Sequence, residues 1–182
     1  MDNGAHSYRR FLEGDESAFD EIIALYFNNL TFFINRYVHD MAAAEDLAID
    51  SLLQLIVHPH RYHFKTPLKT YLFAIGHNRA INYLKRRSRM ELLEPSSAEE
   101  LTDRLSLEEE VLADERKLAL SAALDALPEE MRVAVHLVYF ENMSYEEAGR
   151  IMKKNRKQVD NLLYRAKTAL RCAIGEEGLK LL

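Results

Sequence analysis

Residues 144–171, SYEEAGRIMKKNRKQVDNLLYRAKTALR, determine how the second half of the chain folds. Ser144 followed by Glu147 fits a capping box, in which a hydroxyl and a carboxylate each satisfy a free backbone amide at a helix start. The sequence therefore predicts a short helix from Tyr145 to about Met152, which the polar residues 153–155 interrupt. A second helix follows, and its apolar residues form one stripe: Val159, Leu163, Ala166 and Leu170.

The opposite face of this second helix is polar. It carries Lys157, Gln158, Asn161, Tyr164 and Arg165. Two helices joined by a tight turn, the second presenting cations and amides, are typical of a DNA-binding helix-turn-helix. An ordinary helical hairpin with solvated lysines is the alternative. Local charge favours DNA binding, because residues 150–171 hold eight Lys or Arg and one acid in a chain of net charge −5.

Composition limits the class of protein. The 182 residues are 48% hydrophobic, with six Gly and four Pro, which favours packed helices over sheets. The single cysteine, Cys172, cannot form an internal disulfide, so we expect a reducing cytoplasm and a small core residue at this position. No signal peptide or membrane-spanning run is visible, so we expect a soluble, cytoplasmic protein with no membrane insertion.

Two helices are predicted in the first 57 residues. One runs from about residue 15 to His39, and its wide apolar stripe consists of Phe19, Ile22, Ile23, Tyr26, Phe27, Leu30, Phe33, Ile34 and Tyr37. Asp40 can cap the next helix, from Met41 to about Val57. This helix is apolar around most of its circumference, and acidic residues lie beside its second apolar surface. Such a helix is either deeply buried or docks a partner.

A basic helix follows the loop HPHRYH, residues 58–63. The three histidines lack a completing cysteine or carboxylate, so no metal site is predicted. Thr66-Pro67 can start a helix whose far half, NRAINYLKRRSR at residues 78–89, holds five cations and no acid. The helix dipole favours cations near a C-terminus, but it accounts for only one or two of them. We therefore expect a second nucleic-acid surface here.

The remaining residues complete an all-α architecture of two small helical domains. Residues 1–89 form the first domain, and 90–106 are acidic and predict a flexible linker. Ser106 with Glu109 makes a capping box for a helix to about Ala126, and Pro128 starts another, whose Val133, Leu137 and Phe140 would pack beneath the motif. Residues 107–182 are thus a four-helix domain containing the helix-turn-helix.

The order of these segments resembles the extracytoplasmic-function (ECF) group of bacterial sigma factors. AAAEDLAIDSLLQLIV, residues 42–57, is similar to the family's polymerase-docking helix, and LKTYLFAIGHNRAINYLKRR, residues 68–87, is similar to its promoter-melting helix. The segment 127–152 followed by Val159, Leu163, Arg165 and Ala166 resembles the family's helix-turn-helix domain. The sequence departs from the family pattern at Lys153, Lys154, Asp160 and Leu162, which bears on promoter preference and allows a looser turn.

This resemblance implies partners and roles. The partners would be core RNA polymerase, promoter DNA and an anti-sigma factor. Docking to polymerase would use Asp46, Asp50, Leu53 and Ile56. The minus-ten element would be contacted and opened by Tyr71, Asn78, Arg79, Asn82, Lys85 and Arg86, with Tyr62 and Phe64 as further aromatics for stacking bases. The minus-thirty-five element would be read by Arg156, Lys157, Gln158, Asn161 and Arg165.

Two other classes of protein could use parts of this sequence. A helix-turn-helix regulator that acts without polymerase would use the last domain, but it leaves residues 78–89 and the two-faced helix before them unexplained. An enzyme has little support, because no Gly-rich phosphate loop, metal-ligand set or nucleophile–base pair stands out. The sequence predicts no cofactor and no catalytic residue.

Overall fold

The computed structural model describes residues 3–93 and 114–179, with the backbone alone at 91–93, 114–118 and 176–179. Regular structure in these ranges is helical, and no strand occurs in them. The chain divides into two compact units, Met1–Thr102 and Asp103–Leu182, so the division falls within the predicted linker. The all-α prediction is confirmed. The capping box predicted for Ser106 and Glu109, and the predicted linker from residue 94 onward, lie outside the described residues.

The first unit packs three helices around a long central one. The helices are α1 (Asn3–Leu12), α2 (Ser17–Val38), α3 (Met41–Val57) and α4 (Leu68–Leu93), with a 3-10 turn at Pro59–Arg61. The central helix α2 packs against α1, α3 and α4. Its residues Leu30, Phe33 and Ile34 are fully buried, as are Leu72 and Phe73 of α4. The core of this unit therefore lies between α2 and both α3 and α4, and Tyr8 of α1 packs into it.

Most of the first-unit predictions hold. Helix α3 has both predicted ends, and the Asp40 carboxylate accepts a hydrogen bond from the Ala43 amide at 3.1 Å. Ile23 was expected in the core, and this is wrong: it is exposed on α2. Helix α4 continues to Leu93, four residues beyond the predicted end at Arg89.

The sequence analysis did not predict helix α1. Its Tyr8 is fully buried and donates a hydrogen bond to the Leu55 carbonyl on α3 at 2.8 Å. Its Gly4 lies so close to α2 that an added Cβ would overlap the Tyr26 hydroxyl. Helix α1 is thus held by contacts with residues far along the chain. The periodicity of a local segment does not reveal such contacts.

The second unit has four described helices. They are α5 (Asp114–Asp125), α6 (Glu129–Val135), α7 (Tyr145–Met152) and α8 (Arg156–Leu179), with a π-turn at His136–Phe140 and a non-helical break in α8 at Gly175. Helices α5, α6 and α7 each pack on α8. Val133 and Leu137 are buried as predicted, whereas Phe140 lies exposed at the end of the π-turn. The expectation of a buried Cys172 is also wrong, because this residue is exposed.

The turn between α7 and α8 is compact. The predicted capping box starts α7: the Ser144 hydroxyl accepts from the Glu147 amide at 3.2 Å, and the Glu147 carboxylate accepts from the Ser144 amide at 2.8 Å. Lys153 ends the helix in the left-handed conformation, with φ 56°. The Lys154 amide then donates to the Gly149 carbonyl at 2.8 Å. The family departure at residues 153–154 therefore gives a hydrogen-bonded turn rather than a loose one.

Gly149→Ala tests this turn. A Cβ at residue 149 would lie 2.5 Å from the Lys154 carbonyl oxygen, which is backbone and cannot rotate away. We expect the variant to lose about 1–3 kcal/mol of unfolding free energy despite the better helix propensity of alanine. Urea unfolding measures the loss, and hydrogen exchange in α7 and α8 assigns it to the second unit.

The control is Lys157→Ala at an exposed position of α8, which should change stability by less than about 0.5 kcal/mol. Equal stability of Gly149→Ala and the wild-type protein would show that the turn tolerates a side chain at residue 149.

Candidate polymerase and nucleic-acid interfaces

The exposed side of α3 is an apolar strip with acidic neighbours. Ala44, Ala48, Ser51, Leu52 and Leu55 face the core. The opposite side exposes Asp46, Ile49, Asp50, Leu53 and Ile56, here called the α3 face. Between 42% and 47% of the surface of each of its three aliphatic residues is accessible. The four predicted docking residues thus share one surface with Ile49, and none of them is needed to fill the core.

Asp50 of the α3 face is paired within the first unit. Its carboxylate binds the Arg79 guanidinium of α4 at 2.9 Å. The sequence analysis assigned these two residues to different surfaces, Asp50 to polymerase docking and Arg79 to the minus-ten element. The structure joins them, so Arg79 bridges α4 to α3 and is less available to a phosphate than its neighbours.

The basic half of α4 carries a continuous exposed polar stripe. Its members recur at helical spacing and are all exposed: Asn78, Asn82, Lys85 and Arg86. The structure therefore brings together four of the six residues predicted for the minus-ten element. Tyr71 lies about two turns before Asn78 and is half-buried, with its ring centroid 5.1 Å from that of Tyr62.

The loop before α4 is built on an aromatic cluster. Tyr62 is buried, and its hydroxyl donates to the Thr66 carbonyl at 2.7 Å, so this ring supports the loop and is not available to stack on a base. Phe64 has a φ of 58°, a conformation that bulky residues adopt only when their surroundings impose it. The Phe64 ring lies 4.7 Å from Tyr62, and the Arg9 guanidinium covers it at 4.8 Å.

Helix α1 contributes two residues to this cluster that sequence reasoning missed. Tyr8 packs on Phe64 at 6.0 Å, and Arg9 makes the cation–π contact. Burial raises the pKa of Tyr8 from 10.0 to about 12, with a smaller contribution from Tyr71, and its protonated hydroxyl donates to the Leu55 carbonyl. In the sequence, the only sign of this contribution was an aromatic residue, Tyr8, directly followed by a cation, Arg9.

The outward face of α8 is preformed. The predicted readers of the minus-thirty-five element are all exposed: Arg156, Lys157, Gln158, Asn161 and Arg165. The predicted inner stripe of Val159, Leu163, Ala166 and Leu170 is at most 2% accessible. These readers can therefore change without opening the core.

Ion pairs and capping bonds order the start of this face. Lys154 binds Glu130 of α6 at 2.8 Å, and Arg156 binds Glu146 of α7 at 3.4 Å. The Asn155 carboxamide oxygen accepts from the Gln158 amide at 2.9 Å, and the Gln158 carboxamide oxygen accepts from the Asn155 amide at 2.8 Å. A shallow depression of about 190 Å³ lies beside them, lined by Lys154, Gln158, Asn161, Leu162 and Arg165.

The described residues contain neither a candidate metal site nor a candidate membrane span. Within residues 3–93 and 114–179, no three His, Cys, Asp or Glu side chains are grouped so that they could hold a metal ion. None of the helices in the same ranges is both long and apolar enough to cross a membrane.

Comparison with known proteins agrees with this arrangement. The family model for sigma-70 region 2 matches residues 22–90, and the one for sigma-70 region 4 matches residues 117–170. The RNA polymerase sigma-H factor of Pseudomonas aeruginosa is 29% identical over 170 residues, which are 88% of each chain. The ECF RNA polymerase sigma factor SigM of Bacillus subtilis is 28% identical over 156 residues, 84% of this chain and 92% of SigM.

A solved structure has a similar fold. The sigma factor RpoE from Bartonella quintana, in complex with the anti-sigma factor NepR, has a TM-score of 0.67 and 22% identity, covering 90% of this chain and 97% of RpoE. The chain belongs to the sigma-70 family, and within it to the ECF group of sigma factors. It is a sigma factor that directs promoter-specific transcription by RNA polymerase. The match to region 2 over α2–α4 supports this function and argues against a polymerase-independent regulator.

The Arg79–Asp50 pair can be tested by a double-mutant cycle with Arg79→Ala and Asp50→Ala. Both side chains are partly solvated, so we expect a coupling of about 0.2–1 kcal/mol in the free energy of unfolding. The coupling should shrink at high salt, because screening acts on exposed charges. Urea unfolding of the four proteins at low and high salt measures it.

The same cycle with Asn82→Ala in place of Arg79→Ala is the control, since Asn82 is exposed on the polar stripe. A coupling of zero between residues 50 and 79 at low salt would leave Arg79 free for DNA, as the sequence analysis assigned it.

Proposed function

We propose that the first unit docks core RNA polymerase through the α3 face. The observation that supports this is the exposure of aliphatic side chains beside carboxylates on a helix whose other side already fills the core. Apolar residues at the centre of such a surface supply affinity once water is excluded. Charges at the rim steer the encounter and contribute to specificity.

The polar stripe of α4 is proposed to hold the minus-ten element as it opens. Its amides and cations suit the phosphates and base edges of a strand that has left the duplex. The aromatic cluster of Tyr8, Tyr62 and Phe64 supports the loop beside it. In this proposal Asn78, Asn82, Lys85 and Arg86 contact DNA, whereas Arg79 also holds α4 to α3.

The outward face of α8 is proposed to enter the major groove at the minus-thirty-five element. Lys157, Gln158 and Asn161 lie near the start of the helix, where side chains of a recognition helix reach base edges. Arg165 lies further along, and we assign it to a phosphate.

The proposal also includes the domain boundaries of the protein, its lack of catalytic activity, its cellular location and one further partner. We take residues 1–89 as the docking and minus-ten domain, 90–106 as the linker, into which α4 extends as far as Leu93, and 107–182 as the minus-thirty-five domain. The sigma-70 family is not a class of enzymes, and we propose that this chain has no catalytic activity and works in the cytoplasm beside the polymerase. By analogy with RpoE bound to NepR, an anti-sigma factor is a proposed partner.

Asp46→Arg combined with Leu53→Asp tests the docking surface. The double variant reverses a rim charge and places a carboxylate in the apolar centre, so co-elution with core polymerase in gel filtration should be lost. Helical circular dichroism should stay unchanged, because both side chains are exposed.

The matched control is Asp20→Arg combined with Leu25→Asp, the same changes at exposed positions of α2. This variant should still co-elute. A folded Asp46→Arg, Leu53→Asp protein that retained polymerase affinity would show that the α3 face does not dock.

Asn82→Ala combined with Lys85→Ala tests the role of α4 in opening. Closed-complex formation should fall modestly, because upstream contacts and the polymerase still hold the duplex. Strand opening should fall much more, because contacts to the melted strand are lost when unstacking has to be offset. Run-off transcription on a matched template and on one already mismatched at the minus-ten region measures the difference.

The premelted template should restore much of the transcription, and permanganate footprinting should report fewer unpaired thymines on the matched one. Equal defects on both templates, with normal permanganate reactivity on the matched one, would show that these residues act outside melting.

A further inference from the structure

The start of α8 contains a reciprocal pair of capping bonds that fixes one candidate base-reading side chain. Gln158 is the third residue of the helix, and Asn155 is the residue immediately before the helix begins. Each carboxamide oxygen accepts from the other residue's backbone amide, at 2.8 Å and 2.9 Å. A backbone N–H can only donate, so the Gln158 atom that faces Asn155 has to be the oxygen. This assigns the orientation of the Gln158 amide by chemistry.

The orientation decides what Gln158 presents outward. With its oxygen directed to the backbone at residue 155, the exposed end of the carboxamide is the NH₂ group with two donors. The neighbouring depression adds donors, because Lys154 and Arg165 also line it. Lys154 is held in place by Glu130 at 2.8 Å. This part of the α8 face is therefore rich in donors and suits a base edge rich in acceptors.

We propose that Gln158 is a specificity-determining residue that selects guanine in the minus-thirty-five element. The inference rests on the proposed role of α8 at that element. A glutamine that reads adenine needs its oxygen for the N6 amino group and its NH₂ for N7. In this chain the capping bond turns that oxygen toward the Asn155 backbone and leaves the NH₂ group facing outward; guanine offers this group two acceptors, N7 and O6, whereas adenine and thymine each offer one. Cytosine offers only a donor in the major groove, so it is disfavoured.

Gln158→Glu separates the two roles of this side chain, which are capping the start of α8 and contacting a base. Glutamate keeps an oxygen for the Asn155 amide and is itself a preferred residue at the third position of a capping box. It removes both donors and leaves acceptors only. Cytosine, whose N4 amino group donates, then becomes the matching base.

The experiment uses the full chain with cognate core RNA polymerase and promoters randomised over the minus-thirty-five region. Sequencing the transcribed promoters gives the base preference at each position. We expect the wild-type protein to prefer guanine at one position by about 5- to 150-fold. In Gln158→Glu that preference should move to cytosine, while the preferences at other positions stay as they were.

Controls distinguish failure of this inference from failure of the proposed function. If the wild-type protein showed no minus-thirty-five preference, and Arg165→Ala did not weaken binding to all sequences, the proposed role of α8 would be wrong. If a preference existed but Gln158→Glu left it unchanged, or if the position that responded preferred adenine in the wild-type protein, the inference about Gln158 would be wrong.

Hydrogen exchange checks the capping bond itself. The Asn155 amide should stay protected in Gln158→Glu and lose protection in Gln158→Met, which has no oxygen to accept it. Lost protection in Gln158→Glu would contradict the geometry on which the guanine preference depends, and with it the inference.

Discussion

The second unit depends on how closely α7 approaches the turn that follows it. Gly149 leaves room for the Lys154 carbonyl, and the left-handed Lys153 lets the chain reverse within three residues. A Cβ at residue 149 would also lie 3.6 Å from Val159, so α8 passes directly beside α7. With Val159, Leu162 and Leu163 packed inward, Asp160 and Asn161 between them face solvent. The surface proposed to face DNA is thus a geometric consequence of the packing on its other side.

The first unit depends on a comparable long-range contact. The Tyr8 hydroxyl satisfies the Leu55 carbonyl near the end of α3, where the last carbonyls of a helix lack partners within it. The Tyr8 ring also packs on Tyr62 and Phe64 in the loop before α4. One side chain of α1 therefore contacts both the end of the proposed docking helix and the loop beside the proposed minus-ten surface. The strained backbone of Phe64 persists because these contacts determine its position.

The sequence predicted the elements whose signals are local. Helices α3 and α7 have their predicted bounds, because Asp40 and Ser144 cap them and their apolar residues keep a helical period. Helix α1 was missed because its burial comes from Gly4 and Tyr8 meeting residues of α2 and α3. For the candidate sites, periodicity was enough to place the exposed faces of α3, α4 and α8. It could not predict the Arg79–Asp50 pair or the bond between Gln158 and Asn155, since both depend on three-dimensional geometry.

The excess of cations in the helix-turn-helix overstates the charge available to DNA. Lys154 and Arg156 are paired with Glu130 and Glu146, so part of the local charge orders the protein before any ligand arrives. Immobilising a flexible side chain on binding costs about 0.5–1.5 kcal/mol, and a side chain already held in the free protein loses less. A capped Gln158 is held in this way, so its contribution to binding would depend on whether the base it meets matches the amide edge it already presents.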